Sequence, residues 1–324
     1  MHSNVAPMQK SCAWHPSNAT MRYVAPMIIQ RTRATINEHP VLKKSSALLT
    51  VLILVMAAYG LFCRPYELQW GATAVEIARS MPGDELNPNP SFLATRAITI
   101  DGSPEEIWPW LIQMGYGRAG YYGYDILENI GSPGGLRSAE RILPRFQDFE
   151  VGDELPISAV VSMTFSAIEP NRYLIWVGNE DENPGVFTWA LYPLGARQTR
   201  LVNRIRWTYE WTAITTISLQ LFTEFADHIA VRKILQGVKG RVEGAVEPMW
   251  VQNAEFFTFV ATFSVFVSAL VLIVVRRLTW QNWLAGLLTG LVWLATWYAP
   301  IPTWFSALIA IASIGALVRC RVTR

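Results

Sequence analysis

Long uncharged runs limit this chain more than any other feature. Residues 278–318 contain no Asp, Glu, Lys or Arg. Phe256 to Val275 is a second uncharged run, closed by Arg276-Arg277, and about 20 apolar residues in a helix match the hydrocarbon thickness of a bilayer. Ala47 to Cys63 is a third, preceded by Lys43-Lys44. Gly60-Leu61-Phe62-Cys63 lacks the small residue that a cleavage site wants, so this run reads as an uncleaved anchor over 46–63. Pro300-Ile301-Pro302 splits the last run into Trp283–Ala299 and Trp304–Val318, which makes four expected spans. Trp280, Trp283, Trp297, Tyr298 and Trp304 fall at the expected water boundaries, where amphipathic rings are enriched.

Charge sets the expected topology. The net charge of +2 hides a segregation. Residues 1–63 carry six basic residues against Glu38, and 253–324 carry five Arg against Glu255, whereas 64–252 carry 16 basic and 23 acidic, a net of −7. Four spans place the basic tail 1–45, the Arg276-Arg277 loop and the C-terminal Arg319, Arg321 and Arg324 on one side. The positive-inside rule makes that side cytoplasmic. The acidic domain is then exoplasmic, on a multi-pass protein of the cell membrane. No Cys lies between Arg64 and Arg319, so no disulfide is expected.

The folded part is organised around Ala94 to Pro156. Phe92 to Ile100 reads as a strand ending at the turn Asp101-Gly102. Ser103-Pro104-Glu105-Glu106 is a capping box with Pro at the first helical position. The helix it opens is short or kinked, because Pro109 removes a donor and Gly115 and Gly117 follow. A loop rich in Gly and Tyr comes next, Arg118 to Asp125, then a turn Ile126 to Ile130 with Asp125 as its expected cap. Upstream, 64–91 is a connector in which Thr73 and Glu76 box a short helix. Downstream, Val160–Ile168, Tyr173–Val177, Val186–Leu194 and Thr199–Trp207 read as strands, with hairpin turns at Pro170-Asn171 and Leu194–Gln198. Phe187, Trp189 and Leu191 share the inward face. Residues 207–222 are aromatic and apolar but too short to span, either a membrane-surface segment or a strand end with a buried loop. Thr223 to Met249 reads as one long helix with Phe225, Ile229, Leu235, Val238, Val242 and Met249 on a face, His228 on its surface, and Gly237, Gly240 and Gly244 marking close approach to the sheet or room for a ligand.

From Arg64 to Met249, and most plainly in the runs ATRAITI, SPEEIWPWLIQMGYGRAGYYGYDILENI and RILPRFQDFEVGDELP, the chain resembles the bacterial membrane-associated branch of the START-like (SRPBCC, polyketide cyclase/dehydrase and lipid transport) superfamily. The resemblance implies an α+β helix-grip fold over 92–252: a curved antiparallel sheet around a long C-terminal helix, with a hydrophobic cavity between them. It brings no catalytic motif onto numbered positions.

Several chemistries are missing. Cys12, Cys63 and Cys320 are far apart and none neighbours a His, so neither a metal site nor a thiol nucleophile is expected. No phosphate loop is present, no cofactor is expected, and an acidic domain is a poor match for nucleic acid. Tyrosines between glycines suit a pocket mouth, or equally a surface loop whose rings pack on the sheet edge. The candidate ligand-binding residues are therefore Tyr116, Arg118, Tyr121, Tyr122, Tyr124 and Asp125 in the loop, Trp108 and Trp110 in the preceding helix, and Trp189 and Arg204 in the strands. Arg200, Arg204 and Arg206 share one strand face, which reads first as a solvated face paired with Glu169, Glu180 or Glu210, and second as an inward anchor for an anionic head group. Asp125 and Glu128 have acid–base spacing, although caps and solvated carboxylates are the commoner case. The expected function is membrane-tethered binding of a lipid or other hydrophobic small molecule. A cyclase/dehydratase-like enzyme using the tyrosines, Asp125 or Arg118, and a structural or sensory ectodomain, are the alternatives.

Overall fold

The computed structural model describes residues 40–178, 184–209, 214–276 and 279–296, with only the backbone for 214–219. The sheet grows from the period-two strands: β1 (Phe92–Ile100), β2 (Glu154–Pro156), β3 (Ser162–Glu169), β4 (Tyr173–Val177), β5 (Val186–Gly195) and β6 (Gln198–Trp207). All neighbours are antiparallel in the order β1-β6-β5-β4-β3-β2. Chain order is kept from β2 to β6, while β1 adds to the far edge against β6. Asn171 makes the β3–β4 turn at φ 62°, a conformation that Asn tolerates better than most residues. β3 begins two residues later than expected, because Val160 and Val161 stand in the exposed turn closed by Ile157 N–H to the Val161 carbonyl.

The helices are α1 (Pro40–Leu68, including a π-helical turn at Tyr59–Cys63), α2 (Ala74–Ala78), α3 (Pro104–Ile112), α4 (Asp125–Glu128), α5 (Ile214–Val242), α6 (Met249–Val275) and α7 (Trp280–Ala295). Both capping boxes form: Glu76 accepts from Thr73 N–H and Glu106 from Ser103 N–H, each at 2.8 Å. α5 differs from the expected Thr223–Met249. It starts nine residues earlier, where Leu221, upstream of Thr223, gains a packing surface on the apolar helices. It stops at Val242, where Gly244 adopts φ 71° and Pro248 begins the next helix. Gly237 is a true close approach, since a Cβ there would collide with the Tyr122 carbonyl oxygen.

The long helix therefore works in two halves. Its second half lays Val231, Ile234, Leu235 and Val238 on the inner sheet face, against Phe165, Trp176, Trp189 and Leu201, with Ile107 and Leu111 of α3. Its first half packs Leu221 and Phe225 on Val51 and Val55 of α1, Phe266 of α6 and Leu294 of α7. His228 lies at the join and is not a surface residue: it is 0% exposed, with Nδ1 3.1 Å from the Glu67 carbonyl oxygen. Burial, reinforced by Arg96 and Arg232, pushes its imidazole down to about 2, so it stays neutral.

The outer sheet face is also covered. The connector crosses it and sets Met81 on Ala97, Ala190 and Val202. Three arginines hold it there, so neither reading of this basic face stands. Arg200 binds Glu76 at 2.7 Å. Arg204 is 3% exposed and reaches Asp84 at 2.8 Å and the carbonyls of Glu76, Ile77 and Arg79. Arg206 reaches Asp84 and the carbonyls of Asn87 and Pro88. Glu169 pairs instead with Arg172 at 3.8 Å, and Glu180 and Glu210 lie outside the described residues.

Of the four expected spans, α1 and α6 are long and apolar enough to cross a bilayer. α6 begins seven residues before the expected start. α7 is 16 residues long as described, and Trp304–Val318 lies outside the described residues. Gly286 and Gly290 of α7 face Val51, Val55, Ile273 and Phe266, the close backbone approach that small residues allow between apolar helices.

Removing one partner of a buried, multiply bonded charge costs about 3–5 kcal/mol, whereas an exposed pair is worth about 0–1. Arg204→Ala is therefore expected to lower the unfolding midpoint in detergent sharply, with Arg172→Ala close to wild type. Equal effects of the two would contradict the clamped connector.

Candidate functional site

The loop that the sequence singled out turns inward. Gly115, Gly117 and Gly120 take positive φ, and so does Tyr122 at φ 66°. A non-glycine residue there carries strain of about 1–3 kcal/mol that its surroundings must hold. They do so with several bonds. Tyr122 donates its hydroxyl to the Trp110 carbonyl (3.0 Å), accepts from Gln113 Nε2 (2.9 Å), and donates its backbone N–H to Ser138 Oγ (3.0 Å). The Arg241 guanidinium lies 4.3 Å from its ring centre. Burial drives the Tyr121, Tyr122 and Tyr124 hydroxyls well above the ordinary phenol range.

The ten candidates do not form one site. Trp110, Tyr121, Tyr122 and Trp189 are part of the inner core, and Trp108 and Tyr116 pack against it. Tyr121 donates to the Pro156 carbonyl and Tyr116 to that of Ile130. Arg118 stacks on Phe149 at 3.7 Å and donates to the Ile112 carbonyl at 2.6 Å. Burial pulls its guanidinium down to about 10. Arg204 sits on the opposite sheet face. Asp125 is not the cap of α4. Tyr124 holds that position, and the Asp125 carboxylate accepts from Ser138 N–H (3.0 Å) while its own N–H donates to Gln252 Oε1 of α6 (3.3 Å). The space between sheet and α5, where the helix-grip resemblance implies a cavity, is occupied by these packed rings.

Open volume lies on the other side of α5. A cleft of about 520 Å³ runs between α1, α5, α6 and α7 and is closed at one end by α4. Val55 and Tyr59 of α1, Phe225 and Ile229 of α5, Phe256 and Phe263 of α6 and Trp293 of α7 form its walls. Met56, Phe222, Val260 and Phe263 are exposed along its mouth. Of the ten candidates, Tyr124 alone lines it, joined from α4 by Leu127 and Glu128. Sequence reading missed the rest because apolar residues at helical spacing look the same whether they meet a neighbour or an opening. Their one legible signal was that the first half of α5 is as apolar as its sheet-facing half.

Glu128 is the single charged residue among the described lining residues. It is half-buried, and its carboxylate turns back to the backbone at the start of α4. Gly123 N–H donates to its Oε2 at 3.0 Å, and its Oε1 is shut off from solvent with no hydrogen-bond partner among the described residues. Burial lifts the carboxyl from 4.5 to about 7, Asp125 adds to the rise, and the Gly123 and Tyr124 N–H groups and Arg241 oppose it. The Asp125–Glu128 spacing is thus real as a juxtaposition, with Asp125 tied into the loop and Glu128 at the cleft. Among the described residues no His/Cys/Asp/Glu cluster has the make-up of a metal site.

A carboxyl raised on folding opposes the native state once it must ionise, so its contribution worsens as pH climbs from about 4.5 to about 7. Glu128→Gln is expected to match wild type near pH 4.5 and to exceed it by about 1–3 kcal/mol near pH 8. Thermal melts of the two proteins across that range check this. Parallel profiles would show that Glu128 titrates as an ordinary carboxylate.

No family model and no curated protein matches the sequence. Among solved structures, the chain is similar to a polyketide-cyclase-like protein from Corynebacterium glutamicum, at 13% identity and a TM-score of 0.32, over 48% of this chain and 93% of that one. It is similar to an aromatase/cyclase from a Streptomyces species, at 14% identity and 0.33, over 48% and 96%. It is also similar to a START superfamily protein from Mycobacterium smegmatis, at 13% and 0.28, over 47% and 97%.

Proposed function

We propose that this chain is a multi-pass membrane protein whose START-like domain, on the exoplasmic side, receives a lipid or other apolar small molecule from the bilayer. The observation that carries the reading is the placement of the cleft. Its walls are contributed by α1 and α6, the two helices suited to cross a membrane, so its mouth opens where lipid chains would lie. Its volume of about 520 Å³ is within the range of about 300–1,000 Å³ usual for small-molecule sites. Its walls are almost wholly apolar, which supports holding a molecule over converting one. The exoplasmic placement rests on the basic residues flanking the spans.

The experiment is native mass spectrometry of the full-length protein released from membranes, with extraction of what accompanies it. A stoichiometric apolar molecule is expected on wild type. Ala230→Trp puts an indole into the cleft wall and is expected to abolish its retention. Equal retention by both proteins, or none by wild type, would refute the reading.

A further inference from the structure

Beside the start of α6, neighbouring segments turn apolar side chains outward and keep polar ones inside. Leu127 of α4, Ile130 just past its end, Leu136 in the following loop and Trp250 in the first turn of α6 are between 44% and 64% exposed. In the same segments Asp125, Asn129, Ser138 and Gln252 are at most 6% exposed. Hydrogen bonds among these buried groups join the segments. Asp125 Oδ1 accepts from Ser138 N–H (3.0 Å) and from Asn129 Nδ2 (3.4 Å), and Asn129 Nδ2 also reaches Ser138 Oγ (3.4 Å). Asp125 N–H donates to Gln252 Oε1 (3.3 Å). Single exposed apolar residues are ordinary on a protein surface. Here several stand over a polar interior that ties their segments together, which reverses the order expected against water and marks contact with an apolar phase or partner.

Depth along α6 points to which it is. The uncharged run of α6 begins at Phe256, one turn past Gln252 and about 6 Å along the axis at 1.5 Å per residue. The head-group layer outside the hydrocarbon is about 5–8 Å thick on each side. Gln252, and α4 bonded to it, fall within that layer when α6 spans. Tyr124 packs on Phe256 with ring centres 6.4 Å apart, and Leu127 lines the cleft together with Phe256 and Phe259, so α4 reaches the hydrocarbon edge. Trp is a side chain enriched at this depth. Arg137, next to Leu136, is exposed and forms no ion pair among the described residues, which leaves its guanidinium for a lipid phosphate. We infer that Leu127, Ile130, Leu136 and Trp250 seat the domain in the head-group layer of the bilayer, with Arg137 on a phosphate. The inference rests on α6 spanning the membrane and needs no ligand in the cleft.

The test is fluorescence quenching in the full-length protein in bilayer nanodiscs, with Cys12, Cys63 and Cys320 replaced by Ala. A single fluorophore is attached in turn through Ile130→Cys, Leu136→Cys, Leu194→Cys or Val271→Cys. Leu194, exposed near the end of β5, reports water, and Val271, exposed in α6, reports hydrocarbon. Labels at positions 130 and 136 are expected to lose fluorescence to brominated lipid, as at 271, and to be spared by aqueous iodide, which quenches at 194. Iodide quenching at 130 and 136, with 271 still quenched by brominated lipid, would overturn the seat and keep the span. Shielding of 130 and 136 from both quenchers would overturn it in favour of a protein cover, such as a second copy of this chain. Iodide quenching at every position, 271 included, would overturn the seat and the span together.

Discussion

The structure depends on the way α5 is buried along its length by two unlike partners. One half lies on a sheet, the other on helices suited to a bilayer, and at the join its charges must be matched. Asp227 meets Arg96 of β1 at 2.7 Å and Glu224 meets Arg64 of α1 at 2.7 Å. The Glu67 carbonyl accepts from Arg96 Nε and lies against His228 Nδ1. Removing one partner of such a pair leaves an uncompensated buried charge and costs more than the pair contributes when intact. These contacts therefore fix one position of α5 relative to α1 and β1 more strongly than apolar packing alone, which tolerates sliding.

From that position two consequences follow. The inner face of the sheet is filled by α3, α5 and the inward-turning Tyr loop, so the aromatic rings that look like pocket material serve as core. The outer face, which an antiparallel sheet often leaves to water, is covered by the connector and held by Arg200, Arg204 and Arg206 through carboxylates and backbone carbonyls. A guanidinium suits this task because its planar fork donates in several directions at once. The sheet is thus covered on both faces, and a cleft remains at the seam where the domain meets the apolar helices.

That seam is where the chemistry is sparse and specific. Its walls come from four helices, and one carboxyl stands at its end. Glu128 is costly there, since a buried carboxyl resists ionisation, and the loop nevertheless supplies a backbone donor and a glycine to accommodate it.

Five of the six strands, all but the three-residue β2, were legible in the sequence, as were both capping boxes, the short helix ended by glycines and the apolar runs, because period, caps and run length are local properties. β1 and β4 match their expected limits residue for residue. The long helix was legible as a helix but not in its limits, since the turns before Thr223 become helical where Leu221 packs on the apolar helices. The roles of Arg204, His228 and Asp125 were not legible either, since each depends on a segment distant in sequence: the connector, α1 and Ser138. Glu128 was visible as a carboxylate one turn from Asp125, yet only the fold separates the one tied into a loop from the one facing the cleft. Sequence alone determined which segments are helix, strand and apolar span. Tertiary structure decided which faces meet, and therefore where volume remains, because an empty space belongs to no segment and exists only between them.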